Sequence, residues 1–189
     1  MNIVIVGASG YSGAELAKLI SLHNSLKLVG MYVSENSLDK GKSLASLYPE
    51  LNGIVAGELA PLNSEAFLVI EQNADAICLC TEHSVSVELA PQFLAMGKKV
   101  FDLSGGFRLS SNNDYETYYG FKHTSPELLE HAVYGLVEWQ KDQIKNAQLV
   151  AVPGCYPTAA LNALKPLKQA GLLTDETVII NAVSGVTGA

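Results

Sequence analysis

The first dozen residues constrain the fold of this chain more than any other stretch. Ile3-Val4-Ile5-Val6 is a β-branched run of the kind buried on both faces of a parallel sheet. It feeds Gly7-Ala8-Ser9-Gly10-Tyr11-Ser12-Gly13, after which Leu16, Leu19 and Ile20 share one helical face. Strand, glycine-rich turn and helix in that order make a dinucleotide-binding unit. The glycines permit the tight turn and let a pyrophosphate approach the helix N-terminus. The spacing is Gly-x-x-Gly-x-x-Gly rather than the commoner Gly-x-Gly-x-x-Gly, and glycines also end strands for steric reasons alone. The flanking strand and helix favour the nucleotide reading, with Gly7, Ser9, Gly10, Tyr11, Ser12 and Gly13 as candidate contacts.

The second strand reads Leu28 to Val33. An NAD-specific fold places an acidic residue at its end to hold the ribose 2′-hydroxyl. Here Ser34 comes first and Glu35 second, with Lys40 and Lys42 close behind. A hydroxyl beside lysines suits a 2′-phosphate, so NADP is preferred and NAD is the alternative. Residues 35–65 are loop-rich and suggest no chemistry. Asp75 to Cys80 predicts another strand, opening into Thr81-Glu82-His83-Ser84. Parallel sheets bind ligands at the carboxyl ends of their strands, so His83 either touches nicotinamide or substrate, or merely caps a helix or faces solvent. Leu89, Ala90, Phe93 and Leu94 form a helical face ended by Gly97, and Pro91 predicts a kink or a late start.

Lys99 to Leu103 is the next strand, followed by Ser104-Gly105-Gly106-Phe107-Arg108. This second glycine pair can offer backbone N–H groups, a hydroxyl and a guanidinium to an anion, or form an ordinary turn. The aromatic stretch 115–121 reads as packing between layers. Pro126 starts a short helix, Tyr134-Gly135-Leu136 is extended, and Glu138 to Lys145 is a helical connector. Thr177 to Val183 predicts a last strand, leading into Ser184-Gly185-Val186-Thr187-Gly188-Ala189.

Leu149 to Val152 reads as a buried strand stopped by Pro153-Gly154, and a helix then opens around Pro157. Ala160, Leu161, Leu164 and Leu167 give that helix a core-facing stripe. Cys155 falls in the bend, where unpaired N–H groups and the positive end of the helix dipole favour a thiolate. Most cysteines are small buried apolar residues instead, and this pattern alone leaves both readings open.

Together these elements predict an α/β fold: a Rossmann-like, mostly parallel sheet with helices on both faces over residues 1–148. Residues 149–189 then open a second, α+β catalytic domain, because one strand and one helix cannot enclose a core. The charge of −7, without clustered Lys or Arg, argues against nucleic acid. Apolar runs are of strand length, so no membrane span is expected. Met1 leads straight into the first strand without a secretory signal, and three cysteines cannot all pair, so a cytoplasmic setting is the default. No metal-ligand cluster is predicted.

Four segments occur in the order that resembles the N-acetyl-gamma-glutamyl-phosphate reductase family of arginine biosynthesis. They are Gly7 to Gly13, Asp102-Leu103-Ser104 with Phe107-Arg108-Leu109, Tyr134-Gly135-Leu136, and Val152-Pro153-Gly154-Cys155-Tyr156-Pro157-Thr158. The last is the most specific, and the Gly-Cys-Tyr-Pro-Thr context argues against aspartate-semialdehyde and glyceraldehyde-phosphate dehydrogenases. One departure is Gly106, where relatives often carry a small or acidic residue. The resemblance covers all 189 residues but only the first part of the family's longer chain. It implies NADPH-dependent reduction of a small-molecule acyl phosphate through a Cys155 thioester. It further implies Gly185 in a Ser-Gly-x-x-Gly cofactor and substrate loop, Ser104 and Arg108 on phosphate or carboxylate, and a homo-oligomer at full length. The family's general acid/base histidine lies in the remainder, and none of the four histidines here matches its context, so these 189 residues alone are expected to be inactive. Two other classes compete: a non-catalytic NAD(P)-binding module or redox sensor, and a hydrolase nucleophile elbow, which would need a second flanking glycine.

Overall fold

The computed structural model describes residues 1–173 and 177–185. Among them, seven strands form one sheet: β1 (Asn2–Val6), β2 (Lys27–Val33), β3 (Ala60–Pro61), β4 (Ala76–Leu79), β5 (Lys99–Asp102), β6 (Val133–Tyr134) and β7 (Leu149–Ala151). Their order is β3-β2-β1-β4-β5-β7-β6, and every pairing is parallel. The helices are α1 (Tyr11–Ser21), α2 (Leu44–Leu47), α3 (Ser64–Asn73), α4 (His83–Ala95), α5 (Asn112–Tyr118), α6 (Val137–Asn146) and α7 (Cys155–Gln169). No helix of the described residues is long and apolar enough to cross a membrane.

Alternation along β1 sends its side chains into two cores. Ile3 and Ile5 pack with Ala14, Ala17 and Ile20 of α1 and with Met31 and Val33. Val4 and Val6 pack in the opposite layer with Ile70, Ile77, Leu79, Val87 and Phe93. Burial on both faces is why the central strands are uniformly apolar.

Several sequence-based expectations change in three dimensions. The buried face of α1 is Gly13, Ala14, Ala17 and Ile20, whereas Leu19 is exposed. Small residues at 13, 14 and 17 let this helix lie close against the sheet, while Leu19 stays on its outer side. Helix α4 continues through Pro91 without a break, because Val87, Ala90 and Phe93 hold it against the sheet on both sides of the proline. Helix α6 does contain a break, at Gln140. Leu149–Ala151, just past the division expected after residue 148, is the buried strand β7 and pairs with both β5 and β6.

Residues 177–183 are not a strand. They are exposed and pair with no strand among the described residues. A β-prone run such as Val178-Ile179-Ile180 needs a neighbour to complete its ladder, and none of the described strands lies beside it. The Leu161 and Leu167 stripe of α7 is likewise exposed, and that helix buries no residue among the described ones.

The turn after β1 packs tightly against the end of β4. Gly7 has φ +83°, and a Cβ there would overlap the carbonyl oxygen of Cys80. Gly7→Ala should therefore lower the unfolding free energy by about 3 kcal/mol or more, read from urea denaturation. A loss below about 1 kcal/mol would contradict this packing.

Candidate active site

Parallel pairing brings the carboxyl ends of β1, β2, β4, β5 and β7 to one edge, and the strand order reverses at β1/β4. The β1 turn forms a cradle there. Gly7 and Ala8 donate to the Tyr32 carbonyl at 2.8 and 3.1 Å, tying the turn to β2. A Cβ at Gly13 would come within 2.7 Å of the Ala8 Cα, so only glycine lets α1 start so near the strand. Gly10 is different. It is the N-cap of α1, and a Cβ there would meet nothing closer than 3.6 Å. The protein's own packing does not call for glycine at that position, but an approaching pyrophosphate would need the space a side chain fills. The first turn of α1 has no acidic residue and its N-cap makes no side-chain hydrogen bond, leaving Tyr11, Ser12 and Gly13 to present N–H groups. The residues fit a dinucleotide phosphate.

Ser34 is exposed just past β2. Of the two nearby lysines, Lys40 donates to the Glu35 carbonyl at 3.2 Å and Lys42 pairs with Asp39 at 2.9 Å. Tyr48 is a contact that the sequence did not announce: its hydroxyl donates to the Ser9 carbonyl at 2.9 Å, and its ring meets Tyr11 edge-on. The segment read as free of chemistry thus braces the cradle.

The loop after β5 overturns one expectation. The N–H groups of Ser104, Gly105 and Gly106 are already bonded and not available to an anion. Ser104 donates to Asp102 Oδ1 (3.0 Å), Gly105 to His83 Nδ1 (2.8 Å), and Gly106 to Ser104 Oγ (2.9 Å). The glycines serve close approach instead: a Cβ at Gly105 would overlap the Tyr119 ring, and one at Gly106 would lie 3.0 Å from Val87 Cγ2. A side chain at 106 would require Val87, the His83 carbonyl and the Ser104 hydroxyl to give way slightly. His83 is placed by this bond and by an edge contact with Tyr119, so it braces the loop.

Arg108 reaches across the sheet edge. Its Nε donates to the Val152 carbonyl and its Nη2 to the Leu103 carbonyl, both at 2.8 Å. The guanidinium fork thus staples the end of β5 to the end of β7. Its Nη1 lies against Gly154, where a Cβ would come within 3.2 Å of it. Asp102, fully buried, has an Oδ2 with no hydrogen-bond partner among the described residues. An acidic residue closing an apolar strand was the available signal for it.

Cys155 is the first residue of α7, so this helix opens two residues before the expected position at Pro157. Pro157 still lies in the first turn, where its missing N–H costs nothing. Thr158 donates through both N–H (3.0 Å) and Oγ1 (2.8 Å) to the Gly154 carbonyl, closing the turn. The remaining first-turn amides, of Cys155 and Tyr156, stand beside an exposed thiol. Gly185 is exposed next to Ser184, whose hydroxyl is hydrogen-bonded to that of Tyr156. Residues 186–189, the rest of the expected glycine loop, lie outside the described residues. The turn at β7 and the cradle at β1 share one edge, three strand spacings or roughly 14 Å apart.

This is the arrangement of a nucleotide-binding sheet that carries a thiol on the same edge. The family model "Semialdehyde dehydrogenase, NAD binding domain" matches residues 2–147, and "Semialdehyde dehydrogenase, dimerisation domain" matches residues 155–189. The chain belongs to the semialdehyde dehydrogenase family. Within it, the chain is similar to proteins named N-acetyl-gamma-glutamyl-phosphate reductase. It is 56% identical to that of Idiomarina loihiensis over 188 residues, which is 100% of this chain and 55% of the relative. It is 54% identical to that of Tolumonas auensis over 190 residues, 100% of this chain and 57% of the relative. The chain thus spans little more than half the length of these relatives. Among solved structures, aspartate semialdehyde dehydrogenase II of Vibrio cholerae superposes with TM-score 0.60 at 19% identity, over 89% of this chain and 46% of that one. The enzyme of Candida albicans crystallised with NADP gives 0.56 at 14% identity, over 91% and 48%. These two share the fold.

The three cysteines are free, and their surroundings differ. Burial pushes the Cys78 and Cys80 thiols up to about 12, aided at Cys80 by the Asp102 charge. Near neutral pH, iodoacetamide should therefore modify Cys155 alone in the folded protein, as peptide mass mapping would show. Equal labelling of Cys78 or Cys80 would refute the placement.

Proposed function

We propose that the whole protein reduces N-acetyl-gamma-glutamyl phosphate to the semialdehyde, using NADPH and a covalent thioester on Cys155, in arginine biosynthesis. The observation that carries this is an exposed cysteine opening a helix on the same sheet edge as a glycine cradle. The reductase names of relatives more than half identical support the choice of substrate.

The Cys155 thiolate attacks the acyl carbon, a C–S bond forms, and the C–O bond to phosphate breaks with phosphate taking the electron pair. A thioester accepts hydride more readily than a carboxylate does. A nicotinamide cofactor held at the cradle would supply that hydride. The Cys155 and Tyr156 amides are placed to receive the developing oxyanion at the helix N-terminus. The thiohemiacetal then collapses, the C–S bond breaks, and the aldehyde leaves as the thiolate re-forms. Ser104, whose hydroxyl hydrogen is free to donate, and Arg108 Nη1 are assigned to the substrate's phosphate or carboxylate. Gly7, Ser9, Gly10, Tyr11, Ser12 and Gly13 would hold the cofactor's pyrophosphate, Ser34 with Lys40 its 2′-phosphate, and Gly185 a further part of it.

Residues 155–189 are assigned to subunit pairing, in line with the dimerisation family they match, so the working unit is a homo-oligomer. A thiol nucleophile and two further free cysteines suit the reducing cytoplasm. Residues 1–189 alone bind cofactor and turn nothing over, because the acid/base histidine lies elsewhere.

In the protein extended to the length of its relatives, Cys155→Ser should abolish turnover while NADPH still binds, read by nicotinamide fluorescence beside an acyl-phosphate assay. Retained full activity would remove the thioester. Ser34→Asp should weaken NADPH binding about tenfold or more, through repulsion of the 2′-phosphate, and leave NADH less affected. Equal loss for both cofactors would shift the assignment to NAD.

A further inference from the structure

Behind the β5 loop lies a histidine that the reaction above does not use. His123 is only 2% exposed, enclosed by the rings of Phe107, Tyr115 and Phe121. Its two ring nitrogens have separate partners: Nε2 lies 2.8 Å from the Gly106 carbonyl, and Nδ1 lies 3.1 Å from the Ser125 N–H. A carbonyl only accepts and an amide N–H only donates, so Nε2 carries the hydrogen and Nδ1 is bare. On the opposite side of the same glycine pair, His83 Nδ1 accepts from the Gly105 N–H. The loop is therefore gripped at consecutive residues by two imidazoles, one from α4 and one from the segment after α5. Two residues on, Arg108 leaves this loop to hold the Val152 carbonyl, just before the Pro153-Gly154 turn and Cys155.

We propose that His123 is a positioning residue for the Cys155 turn, acting through the Gly106 carbonyl and the Arg108 staple. Nothing else among the described hydrogen bonds joins the Gly106 carbonyl to the aromatic layer. Without that bond the loop keeps its contacts to α4, the Gly105–Tyr119 packing and the Leu109–Tyr115 bond, but the Gly106 carbonyl loses its described partner and the guanidinium two residues on is held less firmly. The inference rests on the proposed reaction only for why the placing of Cys155 matters, since its tests follow the thiol rather than turnover.

Acid should break the Ser125 bond, because a proton added at Nδ1 leaves that nitrogen unable to accept, while Nε2–H still donates to the Gly106 carbonyl. Burial pushes the His123 imidazole below its ordinary value of 6.5, against the opposing pull of the Gly106 hydrogen bond and of the Glu127 and Asp102 charges. The Tyr115 phenol also faces the ring and stays uncharged, since burial raises it to about 12. A group depressed in the folded state contributes stability that is present above its unfolded value of 6.5 and is lost as pH falls through the folded value. The thermal midpoint should therefore drop on acidification below about 6.5, and less so once His123 is replaced.

The decisive experiment is a double-mutant cycle on the rate of Cys155 alkylation. His123→Leu fills the same space without either hydrogen bond and should slow alkylation about three- to tenfold, as should Arg108→Met, which removes the staple. The double variant should be no slower than Arg108→Met alone, and His123→Gln, with a donor and an acceptor, should restore most of the rate. An unchanged rate in a folded His123→Leu protein, or multiplicative effects in the double variant, would overturn the proposal. Should His123→Leu not fold, nitrogen-15 spectra of the unaltered protein decide. A bare Nδ1 with a protonated Nε2 at neutral pH supports it, and the opposite tautomer or a doubly protonated ring overturns it.

Discussion

Because every strand pairing is parallel, each strand must deliver its following loop to the same edge, and nearly everything the molecule can do follows from that geometry. Parallel strands cannot be joined by tight hairpins, so helices return the chain across the faces and cover them. Both faces then become core, and polar chemistry is confined to the strand ends. The cradle after β1, Ser34 after β2, His83 after β4, the glycine loop after β5 and Cys155 after β7 are neighbours for this reason alone. They come from five separate parts of the sequence.

The loops at that edge are not held equally. The β1 turn is fixed by backbone contact, with Gly7 and Gly13 pressed against Cys80 and Ala8. The β5 loop is fixed by side chains, with Asp102, His83, Ser104 and His123 each bonding one of its backbone polar groups. Such a network removes freedom at low dielectric, where an unmade bond is costly, so the loop behaves as part of the framework. The β7 turn depends on its neighbour, through the two carbonyls that Arg108 joins. Helix α7 contrasts with all of these, for it leaves the sheet edge with its apolar stripe open.

Much of this was legible in the residues. The β-branched runs, the glycine turn and the proline after Cys155 identify strand, cradle and helix start locally, because propensity and periodicity act over a few neighbours. Other features were not. Leu19 and Ala17 differ in hydrophobicity in the direction opposite to their burial, since what decides the α1 contact is how near the helix can approach. The pair Gly105-Gly106 looks like an anion nest in sequence and is a site of close packing in space. Tyr48 and His123 carry no local signature, as their partners Ser9 and Gly106 lie 39 and 17 residues away. Residues 177–183 show the reverse failure: strong β propensity without a strand beside it yields no strand.

The sequence by itself determined the fold class, the strand, glycine turn and helix at the start of the chain, and the identity of the one cysteine that opens a helix. These depend on short-range stereochemistry and hydrophobic pattern, which a chain carries with it. Only the tertiary structure decided which cysteine faces solvent, which backbone groups remain free to meet an anion, and what Arg108 holds. Those depend on burial and on hydrogen bonds between distant residues, and neither exists until the sheet has been assembled.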